Sequence, residues 1–88
     1  MKPKVVRVLG MKLDEWQYAS SIAHCATGEG WATLYDIQSR EQGKGHATRL
    51  LLAMKKYYEG KGLKFGGSVA LNDRMKGLYK KCGITEYA

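Results

Sequence analysis

Residues 42–62, QGKGHATRLLLAMKKYYEGKG, decide how this chain is to be read. From residue 46 to 59 the apolar side chains Ala47, Leu50, Leu51, Met54, Tyr57 and Tyr58 recur at i, i+3, i+4 and i+7, the spacing of a helix with one buried face. Gly60 and Gly62 end it. Directly before it stand Gly43, Lys44 and Gly45. A helix start carries unpaired backbone N–H groups and about half a positive charge, so it attracts anions without any special side chain. The two glycines remove the Cβ atoms that would hold a phosphate off those groups. Lys44 adds a full charge, and the Thr48 hydroxyl lies one turn inside. That set fits a diphosphate. The alternative use of the same glycines is a tight strand-to-helix turn.

Toward the N-terminus the period changes to that of strands. Residues 4–9, KVVRVL, alternate in polarity and end at Gly10. Residues 16–26 and 31–38 flank the glycine turn TGEG, which is a hairpin signal; a helix over 14–26 is the other reading of the first segment. Toward the C-terminus, residues 63–71 read as a strand interrupted by Gly66-Gly67, a pair that marks a bulge or a close backbone approach. Asn72 or Asp73 then caps a helix with Met75, Leu78, Tyr79 and Cys82 on one stripe, closed by Gly83. The expected class is α+β, a mixed and mainly antiparallel sheet in the order β-β-β-α-β-α. Its strand–helix–strand unit over residues 31–71 implies a parallel pair and a right-handed crossover.

Composition bounds the function. Eighty-eight residues make one small domain, residues 1–88, which buries only about 60–65% of its unfolded surface. A hydrophobic fraction of 44% with nine aromatics suffices for a core. No apolar run approaches a membrane span or a secretory leader, and the sequence expects no membrane partner. Cys25 and Cys82 are too few for a disulfide framework, read as free thiols, and point to the cytoplasm. Two histidines and two scattered cysteines give no metal site. The charge of +7 is uneven: residues 1–39 are neutral overall, whereas residues 40–81 hold eleven basic residues against Glu41, Glu59 and Asp73. The second half therefore calls for an anionic partner, polyphosphate or nucleic acid.

Known glycine motifs discriminate between these. A Walker A loop fails because Gly45, not Ser or Thr, follows Lys44 and no glycine lies five residues before Gly43. The dinucleotide fingerprint fails because Thr48 holds its third glycine position and the acidic residue about twenty positions on is missing. The segment LNDRMKGLYKKCGI, residues 71–84, offers a better match. Taken with the glycine loop, the chain resembles the GNAT superfamily of N-acetyltransferases over about residues 16–84. Gln42-Gly43-Lys44-Gly45-His46-Ala47 is similar to the family's Q/R-x-x-G-x-G/A, with Leu50 and Leu51 at its paired leucines. Asn72, Leu78, Tyr79, Lys81 and Gly83 follow its second signature, with Met75 and Ile84 departing from it.

The resemblance implies acetyl-coenzyme A as co-substrate, its diphosphate held by Gln42, Gly43, Lys44, Gly45, Ala47 and Thr48, with Asn72 nearby and the pantetheine arm along the backbone near Ile37. It implies direct acetyl transfer to an amine, of a small molecule or of a protein lysine, with Tyr79 assisting the departing thiolate. A packing role on the 75/78/79/82 stripe is the other use of Tyr79. No general base is evident: Trp31 stands where some members carry glutamate, and His24, Glu29 and Asp36 are substitutes. The first strand and two helices that wall the acceptor site in the family are missing, so the chain reads as a compact member. Exposed sheet edges leave room for a homodimer. Two further classes compete, a coenzyme-A-binding or partner-binding module without catalysis and a nucleic-acid binder. The second lacks aromatics interleaved with its lysines.

Overall fold

Three two-residue turns, Leu9-Gly10, Ala19-Ser20 and Glu29-Gly30, fold the first half of the chain into a meander. The computed structural model describes residues 1–68, 70 and 73–86. Its strands are β1 (Lys4–Val8), β2 (Met11–Tyr18), β3 (Ser21–Gly28) and β4 (Trp31–Ser39). Helix α1 (His46–Gly60), β5 (Lys64–Gly67), helix α2 (Asp73–Cys82) and β6 (Thr85–Glu86) follow. One sheet runs β1-β2-β3-β4-β5-β6 in space, antiparallel through β4 and parallel from β4 to β6.

The mixed, mainly antiparallel class and the β4–α1–β5 unit match the sequence reading, but the order is β-β-β-β-α-β-α-β. The expected strand 16–26 is two strands, broken at Ala19-Ser20. That turn lacks the glycine, asparagine or proline that marks turns, and Ala19 adopts φ 52 there. Ser20, a weaker turn signal, is all that marks the break in the sequence. Of the expected strand 63–71 the described residues pair over Lys64–Gly67, residues 69 and 71 lie outside the described residues, and a short β6 is added.

Alternation sorts the side chains. Trp16, Ala23, Cys25, Ala32 and Leu34 face the helices and are buried with Leu50, Leu51, Met54, Tyr58, Tyr79 and Cys82 in one cluster. Helix α1 lies across β2, β3, β4 and β5 and against α2. Its anchor is aromatic and polar at once. The Trp16 indole N–H donates to the Tyr58 hydroxyl at 2.9 Å, and that hydroxyl donates to Asp14 Oδ2 at 2.7 Å. Trp16 meets Tyr57 and Tyr58 edge-on at 5.1 and 5.8 Å, and Tyr58 stacks on Phe65 at 5.8 Å. Each buried polar atom here is satisfied, which is what permits it in the core.

Tyr58→Phe would leave the indole N–H and the Asp14 carboxylate without this partner. We expect a loss of about 1–3 kcal/mol in chemical denaturation, with the m-value unchanged.

Candidate anion-binding site

Beyond Leu34, β4 outruns its parallel neighbour. Among the described residues, pairing with β5 ends at Leu34 opposite Gly67, with a last bond from Ser68 N to Leu34 O of 3.0 Å, while residues 36–39 pair with β3. A register shift at His24/Cys25 leaves Tyr35 as the extra residue of a bulge at the same level. The two parallel strands therefore part, and the chain turns from Ser39 through residues 40–45 into α1.

Gly43 (φ 79) and Gly45 (φ 77) both take left-handed backbone conformations, which explains why glycine is needed at each. Gly45 is the N-cap of α1, makes no side-chain cap, and is followed by a first turn without acidic residues. The helix-start N–H groups and their partial positive charge are thus free of a competing carboxylate of their own. The loop is tied down by the β2–β3 turn. Arg40 N donates to Ser20 O at 3.0 Å, Glu41 N to Ser20 Oγ at 3.3 Å, and Ser20 Oγ bonds His46 Nδ1 at 2.8 Å. His46 also meets the Tyr18 ring edge-on.

A cavity of about 320 Å³ opens at this helix start. Gln42, Gly43, Gly45, Ala47 and Thr48 line it from the loop and α1, and Arg74, Leu78 and Lys81 line it from α2. Glu41 is a carboxylate on its rim. An adjoining cavity of about 80 Å³ shares Ser39, Ala47, Arg74 and Leu78 and reaches Ile37 beside the unpaired stretch of β4. The expected residues Gln42, Gly43, Gly45, Ala47, Thr48 and Ile37 are thereby brought together. Lys44 is exposed and does not line the cavity; its charge is supplied instead by Arg74 and Lys81. Arg74, Leu78 and Lys81 sit at i, i+4 and i+7, a signal present in the sequence but masked by the apolar stripe beside it. Asn72 lies outside the described residues. Ser20 was hidden in a segment read as continuous strand.

Tyr79 is buried and lines neither cavity. Its hydroxyl donates to Ser68 O at 2.9 Å, where β4 and β5 separate. A Cβ on Gly67 would fall 2.4 Å from the ring, so this is the close approach that the glycine pair announced. Burial pushes the Tyr79 phenol above its usual range. The thiols are poor nucleophiles for the same reason. Burial raises Cys25 to about 12 and also raises Cys82.

His24 and Asp36, two of the candidate bases, do meet, and Glu15 joins them. His24 Nδ1 lies 2.8 Å from Asp36 Oδ1 and Nε2 lies 3.0 Å from Glu15 Oε2, on the sheet face away from the core. Glu29 sits at the opposite turn. Partial burial works against the imidazolium, but the hydrogen bonds it donates to Asp36 and Glu15, with their charges, outweigh that and raise the pKa above 6.5. Both ring nitrogens of His24 face carboxylates, and the ring does not line the glycine-loop cavity. A larger cavity of about 350 Å³ near Gln17 and Gln38 contains Arg40 as its one ionisable lining residue.

Compared with known proteins, the chain matches no family model, no curated protein and no solved structure.

Because the folded pKa of His24 is the higher one, its ion pairs stabilise fully below about pH 6.5 and are lost as pH rises through the folded value. Thermal melts of wild type and His24→Gln should differ by about 0.2–1 kcal/mol near pH 5.5 and converge by about pH 8.5. A gap that widens with rising pH would contradict the assigned pairing.

Proposed function

We propose that the chain is an acetyl-coenzyme-A-dependent N-acetyltransferase of the GNAT type. One observation carries the reading: a helix start with two left-handed glycines faces Arg74 and Lys81 across a cavity, and an adjoining cavity reaches Ile37 of β4. A diphosphate suits the helix start, and the two cations suit a further phosphate. An extended thioester arm fits along the part of β4 that has lost its β5 partner, near Ile37.

The chemistry follows from those positions. The amine lone pair attacks the thioester carbonyl carbon, the tetrahedral oxyanion forms, the C–S bond breaks, and the thiolate leaves. Backbone N–H groups of β4 are the donors available to the oxyanion. Tyr79 stands at the strand junction and would exchange its bond to Ser68 O for one to the sulfur. Ordinary pKa values of ~10 for a phenol and ~8.5 for a thiol make full proton transfer uphill by about 2 kcal/mol, and burial adds to that. Tyr79 therefore assists by hydrogen bonding. The proton of the amine goes to solvent, since His24 is already held by two carboxylates.

That same engagement of His24 favours a second reading, a coenzyme-A-binding module on this scaffold without catalysis.

Calorimetric titration with acetyl-coenzyme A should give affinity of about micromolar order, weaker for the dephospho form by about tenfold. Gly45→Val, checked for folding by circular dichroism, should abolish binding, because valine is strained at positive φ and crowds the helix start. Absence of binding at millimolar ligand would overturn both readings. If an acceptor amine is found, Tyr79→Phe should lower kcat by about 10–100-fold with KM for the thioester little changed. Unchanged turnover would remove Tyr79 from the mechanism and leave it a packing residue.

A further inference from the structure

At the end of the sheet away from the glycine loop, the β1–β2 hairpin carries features that the fold does not account for. Residues 1–13 contain Lys2, Lys4, Arg7 and Lys12, while the hairpin's acidic residues, Asp14 and Glu15, lie away from its tip, opposite Val5 and Lys4. Arg7 and Lys12 are direct cross-strand partners, a like-charge pairing that works against the hairpin, and both are exposed. The ion pairs among the described residues are those of His24, so no carboxylate offsets them.

One residue nearer the tip, Val8 and Met11 are 44% and 42% exposed, and at the apex Leu9 is 99% exposed. Leu9 also holds φ 50, with Gly10 at φ 81, the backbone of a turn that favours asparagine and glycine. A leucine there is strained and buries nothing. Elsewhere at this end Lys61 and Lys64 are balanced by Glu29 and Glu59, so the excess charge belongs to the hairpin.

We propose that the β1–β2 hairpin docks on an anionic phospholipid surface, with Leu9, Val8 and Met11 entering the acyl boundary and Arg7 and Lys12 meeting headgroup phosphates. The layering is that of a bilayer interface: aliphatic side chains at the apex, and cations one strand residue, about 3.3 Å, behind them. Anionic lipid relieves the Arg7–Lys12 repulsion, and hydrocarbon gives Leu9 the burial that the fold withholds.

Other occupants fit less well. Residues 1–13 have no aromatic side chain to stack on bases and no amide side chain to read their edges. A second copy would bring four like charges against four. An acidic protein would need a pocket shaped to a convex apex, whereas a bilayer yields to one. No described helix is long and apolar enough to cross a membrane, and surface docking requires none. The contact also leaves the glycine loop, at the other end of β4, open.

The test is co-sedimentation of the full chain with phosphatidylcholine vesicles, with and without phosphatidylserine. Binding is expected only with the anionic lipid and should weaken as salt is raised. Leu9→Asn should keep or raise the Tm, because Asn-Gly suits this turn, yet weaken vesicle binding by tenfold or more. Replacing Arg7 and Lys12 by glutamine should weaken binding about fivefold per charge. The proposal falls if phosphatidylserine vesicles do not retain the chain, if pure phosphatidylcholine retains it equally, or if Leu9→Asn binds as wild type. It also falls if duplex DNA or polyglutamate captures the chain while vesicles do not.

Discussion

The buried chain of hydrogen bonds from Trp16 through Tyr58 to Asp14 fixes where α1 lies, and the rest of the site depends on that placement. An indole N–H and a phenol bring large apolar surfaces into the core only if their polar atoms find partners, and here they find each other. Tyr58 lies in the last turn of α1, so the far end of the helix is pinned beneath β2. The near end is held by His46 on Ser20. A helix fixed at both ends has no freedom to turn its N-terminus, and the glycine loop is aimed by the core rather than by the loop itself.

The second constraint is the parting of β4 and β5. Parallel pairing stops at Leu34 and Gly67, the bulge at Tyr35 bends β4 at that level, and Tyr79 fills the space over Gly67 that any side chain there would occupy. A sheet that opens in its middle leaves backbone groups without strand partners. Here the cavity at the helix start adjoins a smaller one that reaches Ile37 of β4. The cations that complete it come from α2, which packs against α1.

The charge of the chain resolves into two separate concentrations. Arg74 and Lys81 converge on the glycine loop, where shape and helix dipole give an anion a defined seat. Arg7 and Lys12 project from a hairpin at the opposite end of the sheet, beside aliphatic side chains and with no cavity. The first geometry is the basis of the proposed polyanion site, the second of the proposed membrane contact. Net charge alone does not separate these, because it counts both equally.

The α1 stripe, the Gly43 and Gly45 loop and the strand–helix–strand unit were legible because each is a local pattern: helical spacing, a conformation only glycine adopts readily, and a change of period. Ala19-Ser20 was not legible, since serine is a weaker turn signal than the glycines of the TGEG turn that follows, and with it Ser20 as the clamp on the loop was lost. Lys44 was placed by proximity in sequence and Arg74 was passed over, because which cation reaches a cavity depends on how two helices pack. The joining of Glu15, His24 and Asp36 depends on strand register, which a one-residue bulge sets. Local backbone preference was written in the sequence; convergence of side chains from separate elements was decided only by tertiary packing, which no single segment encodes.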